Sequence, residues 1–378
     1  MKQKQGYRFF SDLAIEAHEA ALSHNRRRFP PRDGISETPA TIEPGSMGDA
    51  ASMESPGPAG SVAAAEALDK SGIDGVAIHV DESGGLRVTS VEITDERGAA
   101  EMGKPVGKYI TIECQRIKEP DPDAHDAVAA AFAGQLGALH GLDADAVVLV
   151  VGLGNWNVTA DSLGPKVIAK TLVTRHLSEE NRAFLGEGGA RQVCAISPGV
   201  MGLTGIETGE IVKGITDRVK PDLVIAIDAL AARRVSRINS TIQLSNTGIN
   251  PGAGIGNFRA SINDKTLGVP VIAVGVPTVV DAATLVNDTM DKFLEAIALE
   301  ELSGGPGSPD FYDMLRSLEN SDKHSLIKDV LEPYAGNMFV TPKDVDAVIE
   351  RLANIIANGL NIALHPGLTA DDLNRFLG

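Results

Sequence analysis

The sequence predicts an α/β protein built on a mostly parallel sheet. Two observations carry this. The segments AVVLVVGLGN (146–155), DLVIAID (222–228) and VPVIAVG (269–275) are continuous apolar runs of strand length. Such runs belong to parallel strands covered on both faces, because a half-exposed strand would alternate apolar and polar residues. Segments with helical spacing separate these runs, and alternation of buried strand and helix is the signature of helices packed on both sides of one sheet. The length of 378 residues fits one large α/β domain or two coupled lobes.

Taken in order, residues 1–24 read as a short arm, with helical spacing over Asp12–Leu22. Residues 25–71 change character. A basic knot of Arg26, Arg27 and Arg28 leads into a Gly/Pro/Ser/Ala stretch. That composition buries too little apolar surface to offset its ordering entropy, so it reads as a flexible link. Residues 72–378 form the third unit. GVAIHV, GGLRVTSVEIT and GKYITIE have strand length and pattern, and Gly84-Gly85 between the first two predicts a hairpin. An Ala-rich helix is expected over 121–141, a strand at 146–155, and a helix from about Gly164 to His176. There follow a strand at 191–196, a helix at about 205–219 opened by Gly205-Ile-Glu-Thr, the strand 222–228, INSTIQLS (238–245) and a Gly-rich loop at 248–257. The strand 269–275 and a helix from about Asp281 come next, and Gly304–Pro309 marks a surface break. Two helices end the chain, the last with Thr341 as N-cap and Pro342 in its first turn.

Composition narrows the function. With 34 Lys and Arg against 51 Asp and Glu, the net charge is −17. An acidic chain repels phosphate backbones, and aromatics at 4% provide few stacking platforms, so direct nucleic-acid binding is not expected. Two cysteines make neither a disulfide framework nor a zinc site. No signal peptide and no apolar stretch of about 18 residues is read, so a cytoplasmic enzyme without membrane contact is expected.

Two carboxylates stand out. Gly152-Leu-Gly-Asn-Trp-Asn-Val-Thr-Ala-Asp161 follows the first buried strand and brings an acid beyond its carboxyl end, the edge at which open α/β sheets build sites. The GxG invites a dinucleotide reading, yet position 157 is Asn and Trp156 occupies the space a pyrophosphate needs. Asp161 could also simply cap the next helix. Asp228 finishes a second apolar strand, where a carboxylate is costly unless it is paired or functional. Two close carboxylates share a proton, one serving as base on water while the other polarises a carbonyl. The loop Gly248–Asn257, with Gly252, Gly254, Gly256 and Asn257, reads either as an anion nest or as a tight turn.

These segments together resemble the germination protease family of spore-forming bacteria. The likeness is carried by VVGLGNWNVTADSLGPK (150–166), PGVMGLTGIET (198–208), IAIDALAARRVSRINSTIQLSNTGINPGAGIGN (225–257), PVIAVGVPTVVDA (270–282) and TPKDVDAVIERLANIIANGLNIALH (341–365). The resemblance implies a three-layer sandwich similar to the hydrogenase-maturation peptidase fold, with Asp161 and Asp228 as the catalytic acids. It also implies a zymogen that cuts off its own arm, a homotetramer, and a location in the forespore or spore core. The implied substrates are small acid-soluble spore proteins, cut after an acidic and before an apolar residue. Ser11-Asp12-Leu13-Ala14 fits that preference, so autoprocessing is expected between Asp12 and Leu13. The linker is longer and richer in Gly and Pro than the family pattern, and Ala160 and Ser162 flank the first acid.

The leading expectation is an endopeptidase in which the two acids share a proton and need no cofactor or metal, with backbone N–H groups of the Gly-rich loop holding the oxyanion. One rival is a metal-dependent peptidase with the same two acids as ligands. The others are a non-enzymatic binder of spore proteins and a dehydrogenase.

Overall fold

The computed structural model describes residues 72–183, 185, 189–252, 260–302, 326–327, 329–331 and 338–368, together with Ala17. The expectations for the arm around Asp12 and Leu13, the link at 25–71, and Gly254, Gly256 and Asn257 fall outside these residues.

The hairpin forms as expected. Strands β1 (Val76–Ser83) and β2 (Leu86–Ile93) pair with Ser83 opposite Leu86, and Gly84 and Gly85 take φ of 60° and 83°. A two-residue turn with both φ positive matches the right-handed twist of the strands, and glycine adopts it without a Cβ clash. Helix α1 (Glu96–Met102) is capped by Asp95, and β3 (Gly107–Glu113) pairs with β2. The Ala-rich helix α2 (Pro122–Leu139) has Asp121 as its N-cap and proline in its first turn.

The remaining elements are β4 (Val147–Gly152), α3 (Leu163–Ile168), α4 (Glu179–Ala183), β5 (Gln192–Ile196), α5 (Met201–Thr204), α6 (Thr208–Val219) and β6 (Leu223–Ala232). Then come β7 (Thr241–Ser245), α7 (Asp264–Leu267), β8 (Val271–Asp281), α8 (Ala282–Leu302), β9 (Phe339–Val340) and α9 (Val345–Leu364).

The strands form one sheet in the order β1-β2-β3-β7-β8-β6-β4-β5, with β9 on the end of β8. The segment β8-β6-β4-β5 is parallel, and it holds the three apolar runs. An antiparallel wing, β1-β2-β3-β7, extends it.

Both faces of the parallel segment are covered. Val148, Val150, Ile225, Ile227, Ile272 and Val274 pack under α2, α3 and α9. The alternate residues Leu149, Val151, Val224, Ala226 and Val271 pack with Val212 of α6 and Leu267 of α7 on the opposite face. The period of two along each strand therefore feeds two cores and gives three layers. The layers of helix meet closely where Gly359 of α9 faces α2: a Cβ there would lie 2.6 Å from the Phe132 ring. Ala17, from the arm, packs against a smaller cluster on the wing with Val91, Ile93 and Tyr109.

Three local expectations are corrected. The helix expected from Gly164 to His176 ends at Ile168. The side chain of the fully buried Asn361, on α9, accepts from the Leu172 N–H at 2.9 Å and donates to the Lys170 carbonyl at 3.2 Å, drawing the chain out of the helical path. Gly205 closes α5 in a left-handed conformation rather than opening a helix, and α6 begins at Thr208. The last helix begins at Val345 with Asp344 in the cap position, and the Thr341 hydroxyl, expected to accept from the first turn, instead donates to the Thr278 carbonyl at 2.9 Å. By length and composition alone that helix could cross a membrane, yet it carries Asp346, Glu350 and Arg351 and is not a continuous apolar stretch. It is the core helix over the sheet, with Ile349, Leu352, Ile356 and Leu360 buried in the main core.

Candidate active site

The carboxyl ends of β4, β6 and β8 open into a cavity of about 280 Å³. It is lined by Leu153, Gly154, Val158, Asp161, Val200, Asp228, Gly252, Thr278 and Phe339, among others. Asp161 and Asp228 therefore face one cleft although 67 positions separate them in the chain. Gly252 lies on the same wall with φ of 72°.

Asp228 reaches the cleft by strand register. β4 stops at Gly152, which is aligned with Ile227, while β6 runs on to Ala232 against β8 alone. The acid is thus not the last residue of its strand, as the sequence suggested, but the first one past the end of its neighbour. It is 7% exposed, and its Oδ1 accepts from the Ala229 N–H at 2.9 Å.

Asp161 reaches the cleft by loop geometry. It ends a short 3₁₀ turn, Thr159–Asp161, rather than capping a helix; Ser162 holds the cap position of α3. The Asp161 Oδ2 accepts from the Asn155 N–H at 2.8 Å, and the Asp161 carbonyl accepts from the same group at 3.1 Å. The chain passes itself so closely here that a Cβ on Gly154 (φ 111°) would lie 2.0 Å from the Asp161 carbonyl oxygen. A Cβ on Gly152 would lie 2.3 Å from the Gly164 carbonyl oxygen. The GxG thus has a purely structural use. Its glycines let the strand end, the Asp161 turn and the start of α3 touch backbone to backbone, and no nucleotide is needed to explain them.

Three further bonds fix the turn. Thr159 donates to the Asp346 carboxylate at 3.0 Å, Ser162 donates to the Thr159 carbonyl at 2.8 Å, and Thr278 donates to the Ala160 carbonyl at 2.7 Å. Ala160 and Ser162 are thus held through a backbone carbonyl and a local hydroxyl. Lys166, five residues after Asp161, is turned away from the cleft. It pairs with Glu350 at 2.9 Å, and Lys170 reaches the same carboxylate at 2.7 Å. Hydrogen bonds from Lys170 and then Lys166 hold the Glu350 carboxyl below its ordinary value.

The cleft wall combines apolar side chains of Val158, Val200, Leu230 and Phe339 with the polar Thr208 and Asn250. Around it, Trp156 is 58% exposed on the loop after β4, and Met201, Leu203 and Ile206 are exposed on the segment after β5. No group of three or more His, Cys, Asp or Glu side chains with metal-binding proximity occurs among the described residues. Thr278 is the site residue that the sequence reading missed. A threonine in an apolar strand carries no signal of its own.

The sequence profile of the family described as "Germination protease" matches residues 60–305 and 300–377. The germination protease of Caldanaerobacter subterraneus subsp. tengcongensis is 50% identical over 305 residues, covering 81% of this chain and 93% of its own. That of Clostridium perfringens is 48% identical over 308 residues with the same coverage, and that of Bacillus pumilus 45% over 336 residues, covering 81% and 90%. Among solved structures, a NiFe hydrogenase maturation protease, HycI, from Thermococcus kodakarensis covers 57% of this chain and 92% of its own, at 15% identity and a TM-score of 0.25.

Proposed function

This chain belongs to the germination protease family and is a peptidase; from that premise we propose that it is a two-aspartate endopeptidase that begins the breakdown of small acid-soluble spore proteins in the germinating spore core. The observation that carries the reading is the convergence of Asp161 and Asp228 on one cleft at the carboxyl edge of the parallel strands.

In this reading the two acids hold one proton between them, because two carboxylates facing one small volume do not both ionise cheaply. The ionised member takes a proton from water as the water attacks the scissile carbonyl. The protonated member donates to the developing oxyanion, and backbone N–H groups of the loop at Gly252 complete the electrostatic support. The attacked carbon becomes tetrahedral, then collapses with loss of the amine, which leaves with a proton from the pair. The apolar wall of Val158, Val200 and Phe339 suits an apolar residue after the cut bond. In the same reading the chain is made as a zymogen that cuts between Asp12 and Leu13, and the mature subunits assemble as a homotetramer.

The test is Asp161→Asn and Asp228→Asn, each assayed by mass analysis of a spore-protein substrate. Each should lower kcat by about three orders of magnitude or more, with the fold intact by circular dichroism. The pH profile of kcat/KM should be bell-shaped, since it reports both members of the pair. Normal cleavage by both variants would end the reading. Loss of wild-type activity on chelation, with rescue by a divalent cation, would move the acids to the role of metal ligands. An intact Met1 in fully active enzyme would end the autoprocessing part.

A further inference from the structure

The pairing of β6 with β8 slips by one residue beyond the two acids. Leu230 aligns with Pro277, but Ala231 aligns with Val279, so Thr278 has no opposite residue. A bulge of this kind bends the strand and re-aims the extra side chain, and bulges gather next to active sites for that reason. Here the re-aimed side chain is a threonine, 1% exposed, on the wall of the cleft that holds Asp161 and Asp228. Its hydroxyl donates to the carbonyl of Ala160, the residue before Asp161, at 2.7 Å. Its own carbonyl accepts from Thr341 at 2.9 Å, just ahead of α9, so the bulge is held from behind while it holds the turn in front.

We propose that Thr278 is a positioning residue for the Asp161 carboxylate: the β8 bulge exists to deliver one hydroxyl to the Ala160 carbonyl, which locks the Thr159–Asp161 turn at the height of Asp228. The argument is geometric. The turn is a separate piece of chain tied to the loop after β4 through Asn155 and to α9 through Thr159 and Asp346. Neither of those ties comes from the strand beside Asp228. Thr278 supplies the tie from β8, whose Gly275 is aligned with Asp228, and so sets the distance between the two acids. A displacement of about 1 Å at a catalytic group costs on the order of a hundredfold in rate. The kinetic arm of the test rests on the peptidase reading, and the spectroscopic arm does not.

The experiment compares Thr278→Val, which keeps the shape and removes the hydroxyl, with Thr278→Ser, which keeps the hydroxyl. On a spore-protein substrate the valine variant should lose about tenfold to a hundredfold in kcat with KM unchanged, and the serine variant should recover to within about threefold of wild type. In full-length protein carrying ¹³C-labelled Asp, the pH at which the Asp161 carboxyl titrates should change in the valine variant, because moving the turn alters both the Asn155 N–H bond to this carboxylate and its distance from Asp228. The serine variant should titrate as wild type. A folded valine variant with kcat within twofold of wild type and an unshifted Asp161 titration overturns the proposal. So does a serine variant as impaired as the valine one, since that assigns the effect to packing. If the valine variant does not fold, Thr278→Ala is read by the same criteria. If Asp161→Asn and Asp228→Asn both cleave normally, the titration arm alone decides: a shift supports the clamp and no shift overturns it.

Discussion

Gly154→Ala is the sharpest test of how Asp161 is placed. The new Cβ would lie 2.0 Å from the Asp161 carbonyl oxygen and 3.1 Å from its Oδ1. The first contact is more than about 1 Å short of van der Waals separation. The obstacle is backbone, so it does not swing aside as a side-chain tip would. The residue also holds φ of 111°, which costs a non-glycine residue about 1–3 kcal/mol. The chain is expected to relieve the clash by moving the Thr159–Asp161 turn, breaking the bonds that Asn155 donates to Asp161. A shift of about 1 Å at the carboxylate should lower kcat on the order of a hundredfold. Gly103→Ala is the control. Gly103 also has a left-handed φ, of 64°, but its Cβ would meet nothing within 4 Å. It should cost about 1–2 kcal/mol of stability and leave kcat unchanged. The assay is steady-state cleavage of a spore-protein substrate beside thermal unfolding of both variants. Gly154→Ala with kcat within twofold of wild type, and a stability loss no larger than that of Gly103→Ala, would refute the account of the loop.

Further outcomes follow from the packing and the charges. Phe132→Ala removes a fully buried ring seated against Gly359 and should cost about 3–5 kcal/mol in chemical denaturation. Glu350→Gln breaks the contacts with Lys166 and Lys170, but the Glu350 side chain is 45% exposed, so the loss should stay below about 1 kcal/mol and shrink at high salt. The imidazole of His365 is fully buried, donates from Nε2 to the Leu172 carbonyl at 3.1 Å, and has no hydrogen-bond partner at Nδ1. Burial holds its pKa below the ordinary 6.5. The unfolded chain therefore binds a proton before the folded one does as pH falls through about 6.5, and stability should drop from there until the folded imidazole also titrates. Thermal midpoints between pH 7.5 and 5.5 should fall more steeply in wild type than in His365→Gln.

The apolar runs at 146–155, 222–228 and 269–275 were enough to specify parallel strands buried on two faces, because continuous hydrophobicity has few other outcomes in a chain of this length. Gly84-Gly85 likewise fixed a hairpin turn, whose backbone demands lie within two residues. Asp228 was legible as a candidate because a carboxylate finishing an apolar strand is costly, and Asp161 because it lies beyond the carboxyl end of another strand. Local pattern did not settle helix ends such as Ile168, where Asn361 reaches over from a distant helix. Nor did it reveal Thr278, whose importance comes from a one-residue slip between two strands and a carbonyl 118 positions away. Hydrophobic periodicity is a property of neighbours along the chain, and sequence carries it directly. The height of one carboxylate above another depends on register and on hydrogen bonds between remote segments, and only the assembled sheet determines those.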